Sequence, residues 1–242
     1  MISFRFVLTP LGRVAPCGHE DRTLHWFGLT DGCYRIELAD HDVLRYRQET
    51  VRHPHIDYYV ARLWEDVIEM TPAVLEPVPA DLLDFVAGDS DAWGPVNSDV
   101  ASTAAVWHDE HTLNLGYLLQ PPRIRAWRTV GDGLDVVTVT WRHDDDGDIR
   151  FIAPPRGQVV IPSESFLATV RRFDHDLMNA MRRRIRALER TGPPKGVDVD
   201  VERLRAEHAD RITWLGRGLQ HAPETDWSAV RAGATELVGG GG

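Results

Sequence analysis

Lysine is nearly missing from this chain: Lys195 stands alone against 26 arginines. Chemistry that needs an amine, as in a P-loop, a Schiff base or a kinase-type site, therefore has one candidate. It lies in the turn-like Pro193-Pro194-Lys195-Gly196, a poor place for such work. Cysteine is almost as scarce. Cys17 and Cys33 occur without a C-x-x-C spacing, which excludes a disulfide framework and fits a reducing, cytoplasmic setting. Both are expected as small packed side chains. No apolar run approaches the roughly 18–20 residues that span a bilayer, so no membrane partner is expected. Residues 1–8 alternate apolar and polar, the pattern of a strand rather than of a secretory signal. H-E-x-x-H, its inverse, G-x-S-x-G and D-x-x-H are all absent.

What is there reads as an α+β protein. Its 242 residues carry a net charge of −10, which argues against nucleic acid and suits a basic protein partner. Strands are expected over 2–8, 23–29 and 33–38, with Thr30-Asp31-Gly32 as a tight turn between the last two. A helix with one apolar stripe spans 56–70, and Pro72, Pro77 and Pro79 break the chain before a short helix at 81–86. A loop covers 88–97, and 101–111 fits either helix or strand. The segments 113–119, 124–130, 134–141 and 149–152 read as a meander that 158–161 extends, with Asp144 to Asp148 as a hairpin tip. From Ser163, read as a cap, a long helix runs to about 190. A Gly-Pro-Pro-Lys-Gly break separates it from helices over 201–219 and from 226, the last capped by Thr225. We expect one compact domain, 1–238, β-rich over 1–162 and helical over 163–238, with a flexible glycine tail at 239–242.

Candidate chemistry is thin. His53-Pro54-His55-Ile56-Asp57 resembles the start of the H-x-H-x-D-H metal site of metallo-β-lactamase-like hydrolases, but Tyr58 stands where its last histidine belongs. His108 and His111 would share one helix face as a metal pair, and a third ligand (Cys17, His19 or His25) could come only through the fold. His208 sits in an apolar stripe and reads as a hydrogen-bonded core residue. Asp144 to Asp148 lacks the glutamate of a calcium loop. Arg182, Arg183, Arg184, Arg186 and Arg190 make one helix end basic, which the helix dipole explains by structure alone; a docking surface for an acidic partner is the alternative reading. Of eight tryptophans, Trp26, Trp64, Trp141 and Trp227 fit core positions. Trp93 and Trp107 fit less easily and point to a binding surface.

The segment Leu24 to Gly32, the segment Asp57 to Asp66 with its Arg-Leu-Trp-Glu-Asp core, and Thr225-Asp226-Trp227 together resemble a largely actinobacterial family catalogued as a domain of unknown function. The resemblance implies no activity, cofactor or site residue.

Two functions are left to weigh. The first is an acidic protein-binding module of the immunity or inhibitor type, its surface drawn from Trp26, Asp31, Tyr34, Tyr58, Arg62, Asp66, Trp93 and Trp107. The second is a metal-dependent enzyme working through His25, Asp31, His108 and His111. The failure of every specific catalytic template puts the binder first.

Overall fold

The N-terminal alternation forms the strand it predicts. In the computed structural model, which describes residues 1–18, 22–47, 55–144, 149–221 and 223–240, β1 (Ile2–Leu8) lies antiparallel to β2 (Asp31–Leu38). Phe4 faces Ile36 and Phe6 faces Tyr34, so the apolar members of both strands share one face. Two short strands divide the other side of β2. β3 (His41–Asp42) pairs at Glu37 and Leu38, and β4 (Ile56–Tyr59) pairs along Asp31 to Tyr34. β1 is therefore an edge.

Two local expectations yield to this sheet. Asp31 and Gly32 belong to β2 rather than to a turn, because Gly32 packs against the Val7 and Leu8 backbone, where no side chain fits. Residues 24–30 form no strand but a turn ending in a single 3-10 turn at Gly28–Thr30. The predicted helix start is early by one strand. Ile56 to Tyr59 pair with β2, and α1 runs Val60–Leu75. The Thr30 hydroxyl accepts the Ala61 N–H at 3.1 Å, so one orphan donor of the first turn is met from outside the helix. Pro72 sits inside α1 rather than ending it. It lies in the last turn, where it forgoes the bond that an N–H would give to the Ile68 carbonyl, and the helix ends three residues later.

α2 (Leu83–Ala87) and α3 (Asp99–Asp109) follow, the second capped by the Ser98 hydroxyl, which accepts the Ala101 N–H. The ambiguous segment is thus helical. The meander is real but has three strands: β5 (Arg123–Gly131), β6 (Leu134–Arg142) and β7 (Arg156–Pro162). Asp132 (φ 51°) and Gly133 (φ 77°) make its first turn, the two-residue left-handed geometry that matches strand twist. Residues 113–119 and 149–152 contribute no strand; an isolated bridge at Thr112 precedes the first segment and one at Phe151 lies in the second. All but the first residue of the hairpin tip expected at Asp144 to Asp148, the histidines at 19 and 53 and the last two glycines lie outside the described residues.

α4 (Ser163–Thr191) contacts β1, β6, β7 and α1. Its buried stripe, from Phe166 through Phe173, Leu177 and Met181 to Leu188, fills the space between the two sheets' helices. Ser163 is not its cap. The hydroxyl instead donates to Asp135 at 2.5 Å. Trp64 of α1 donates its indole N–H to Asp174 of α4 at 3.0 Å. Burying an indole of this size contributes roughly 4–6 kcal/mol. Gly192 (φ 74°) ends α4. The helix expected over 201–219 is broken at Ile212-Thr213 into α5 (Val201–Arg211) and α6 (Trp214–Gln220). The break lets Trp214 stack on Trp64 at 5.5 Å. α7 (Trp227–Gly239) is capped by Asp226, which accepts from Ser228 and Ala229, rather than by Thr225.

The antiparallel sheets in the first two thirds and the helical end make an α+β fold. Buried residues form a large cluster between the sheets and α1 and α4, and a smaller one among α2, α3 and α7. No helix among the described residues is long and apolar enough to cross a membrane.

Candidate binding groove along the edge strand

Among the described residues, one edge of β1 carries no strand. Ala39 donates its N–H to the Met1 carbonyl and Thr9 donates to the Asp31 carbonyl, both at 2.8 Å. These bonds place the odd-numbered residues of β1 in the hydrogen-bonded register with β2. The N–H and C=O groups of Phe4, Phe6 and Leu8 therefore point the other way, where no strand lies among the described residues.

A groove of 900 Å³ follows that edge. β1 forms its floor, and Arg172, Phe173, Asp176, Asn179 and Arg183 of α4 form one wall. Phe4 and Phe6 lean on Phe173 at ring distances of 5.2 and 6.0 Å, giving the floor an apolar strip. The opposite rim carries Arg5, Cys33, Arg35 and His55. Glu37 is shared there: it accepts from Ser3 at 2.5 Å and pairs with Arg5 at 3.3 Å and Arg35 at 3.2 Å. The Ser3 hydrogen bond, with the two guanidinium groups, holds its carboxyl below the usual range. Burial, and then Asp57 and Asp31, push the Cys33 thiol up, so it is a poor nucleophile. Val7, 74% exposed, stands at the open end.

Behind the sheet lies a tyrosine–carboxylate cluster. Tyr34 donates its hydroxyl hydrogen to Tyr117 at 3.3 Å, and Tyr58 stacks on Tyr117 at 4.9 Å. Arg62 lies over the Tyr117 ring at 5.4 Å and reaches Asp66 at 3.1 Å. The Asp66 side chain is wholly out of water. Burial pushes its pKa up to about 7 against the pull of Arg62. Tyr34 and Tyr117 are raised as well, by burial first.

Four of the eight residues expected to form a surface meet here: Tyr34, Tyr58, Arg62 and Asp66. Only Arg62 and Tyr58 reach solvent, since Tyr34 and Asp66 are buried. Trp26 is buried too, between Trp64, His208 and the Arg211 guanidinium, which sits 4.3 Å over its ring. Asp31 opens β2, on the face away from the core. Trp93 and Trp107 belong to the smaller cluster. Trp107 is buried there against Trp227, and Trp93 stacks half-buried on Phe85. The aromatic count therefore signals core rather than surface. Sequence reasoning missed Tyr117 and Arg172, and named Arg183 only within the basic run of its helix. Only the alternation of residues 2–8 and the basic run on α4 hinted at the groove.

The proposed metal pair is spent on packing. The His111 Nδ1 bonds the Trp107 carbonyl at 2.8 Å, and the His108 Nε2 lies 3.4 Å from the Gly88 carbonyl. Burial lowers them to about 4 and about 3, with the nearby Arg125 cation acting in the same sense. Among the described residues no group of three or more His, Cys, Asp or Glu side chains is placed to share a metal ion. His208, expected to be hydrogen-bonded, has neither ring nitrogen partnered among those residues. The closest approach to a catalytic pair is Cys17 with His25, sulfur to Nε2 at 3.2 Å. Gly28 donates its N–H to the His25 Nδ1 at 3.1 Å, so in the neutral ring Nε2 carries the hydrogen and donates toward sulfur. That arrangement does not take a proton from the thiol.

A model of a family of unknown function, DUF5984, matches residues 3–233. No curated protein and no solved structure matches the chain.

Proposed function

We propose that this chain, which belongs to the DUF5984 family of unknown function, is a protein-binding module whose partner seats in the groove beside β1. The observation that carries this reading is the groove itself. It is open and lined by an unpaired strand edge, an apolar strip and arginines, without a nucleophile set against a base. Such a lining suits backbone and side-chain recognition better than bond-breaking. A module that occupies a partner's surface in this way acts as an inhibitor does, so an immunity- or inhibitor-type role falls within the proposal. Two unpaired cysteines, Cys17 and Cys33, fit a cytoplasmic setting.

The metal-dependent enzyme is the weaker alternative. His25 and Asp31 belong to the front of the molecule, while His108 and His111 are committed to the smaller core.

A photo-crosslinking residue at Val7, introduced into the full chain in its native cells, tests the proposal. It should trap a partner that a crosslinker at Val130, exposed on the second sheet, does not. The purified partner should then bind the unmodified chain and lose affinity for the Arg172→Glu/Arg183→Glu variant. Equal adducts from both positions, or equal binding to both chains, would sink the groove as the site.

A further inference from the structure

We infer that the groove takes an extended, acidic segment of a partner protein, which adds to the sheet as a new strand on β1. This rests on the groove being the binding site and specifies what binds there.

The backbone makes the first half of the argument. Phe4, Phe6 and Leu8 present alternate N–H and C=O groups outward, the repeat a strand needs and a helix or a globular patch does not match. An unpaired edge of this length is a template for a strand, and folded proteins usually blunt it. Of the usual devices β1 carries one charge, Arg5, which is tied to Glu37; residues 2–8 contain no proline or lysine. α4 borders the space beside it, with Thr169 reaching the Ile2 carbonyl at 3.4 Å and Arg172 and Arg183 lining the rest.

Charge makes the second half. Arg172 and Arg183 line the α4 wall and have no ion-pair partner among the described residues. Arg5 and Arg35, on the other rim, share Glu37. Among the described residues that line the groove these four arginines face one carboxylate, Asp176, while Glu37, Asp57 and Asp31 lie beside the opposite rim, so the uncompensated positive charge runs along the α4 wall of a chain whose net charge is −10. A strand laid along β1 turns alternate side chains toward α4 and toward the opposite rim. Carboxylates at either set of positions meet arginine, so an acidic segment is favoured and a basic one opposed. The basic partner suggested by the net charge would meet repulsion here.

A second copy of this chain fits less well. Antiparallel pairing of two β1 strands over their full length, centred on the symmetry axis, puts Arg5 opposite Arg5 of the second copy.

The test selects from a displayed library of random peptides against the full chain, then follows amide hydrogen exchange with the best synthetic peptide bound. In the free protein, the amides of Arg5 and Val7 should exchange slowly and those of Phe4, Phe6 and Leu8 quickly. Selected peptides should be rich in Asp and Glu at alternate positions, and should slow exchange at Phe4, Phe6 and Leu8. Their affinity should fall at least about tenfold for Arg172→Glu/Arg183→Glu. Both arginines are exposed, so that variant should keep the native melting temperature. Peptides that need the two arginines but leave the three amides exchanging would overturn strand addition while leaving the groove as the binding site. Basic peptides, peptides indifferent to the double variant, or no enrichment at all would overturn the inference, and the Val7 crosslink then decides separately whether the groove binds anything.

Discussion

Replacing Asp66 with asparagine should make the protein more stable at neutral pH, and the gain should vanish in acid. Asp66 is shielded from water, with Arg62 as its nearest cation at 3.1 Å. Its carboxyl is raised to about 7, against about 3.9 in an unfolded chain. A raised carboxyl is held protonated by the fold, so its contribution is intact below about pH 4 and is lost as the pH climbs toward 7. At about 1.36 kcal/mol for each tenfold change in proton affinity, the loss is on the order of 4 kcal/mol by pH 8. Asparagine keeps an acceptor near Tyr117 and carries no charge to bury. Arg62, whose side chain is 34% exposed, can be hydrated once its carboxylate is gone. Urea unfolding followed by tryptophan fluorescence, for both chains from about pH 4 to pH 8, isolates the effect. Other raised carboxyls such as Glu65, Glu110 and Asp174 cancel in the difference between the two chains. The expected difference is near zero at the acid end and reaches a few kcal/mol in favour of Asp66→Asn at the other. A difference that stays constant, or that turns against the variant as pH rises, would show that Asp66 is ionised and stabilised by Arg62, and the reasoning from burial would be wrong.

His108 and His111 should behave in the opposite sense. Their folded values lie at about 3 and about 4, below the usual 6.5, so both stay neutral and their contribution to stability is full above about pH 6.5 and falls away in acid. NMR titration of the imidazole carbons checks this, and a midpoint near 6.5 for either ring would contradict the burial of the smaller core. Gly233→Ala should lower stability by about 1–3 kcal/mol, roughly 2–10 °C in melting temperature for a chain of this size. A Cβ there would overlap the Val100 carbonyl and come within 2.7 Å of Ala104 where α7 crosses α3. A calorimetric melt at or above the parent's would mean that the two helices separate without cost.

Much of the fold was legible because it depends on local periodicity. The period-two pattern of residues 2–8 and 134–141 and the 3.6-residue stripe of α4 are properties of neighbours in the chain, and β1, β6 and α4 follow them closely. Expectations failed where a distant partner decided the outcome. Ile56 to Tyr59 continue an apolar helical stripe, yet the free side of β2 takes them as a strand and the Thr30 hydroxyl starts the helix only after Tyr59. Residues 201–219 form one continuous stripe, yet the stacking of Trp214 on Trp64 accompanies a break after Arg211.

The candidate site divides along the same line. The sequence by itself determined the α+β class, the strand pattern of residues 2–8, the scarcity of lysine and cysteine and the basic run on α4, because each is a matter of composition or spacing. Only the tertiary structure decided that α4 lays Arg172 and Arg183 beside the unpaired edge of β1. It also decided that Tyr34, Asp66 and Trp107 face inward and that His108 and His111 serve packing. Burial, strand register and convergence depend on residues more than a hundred positions apart, such as Phe4 and Phe173. No local pattern encodes which of them will meet.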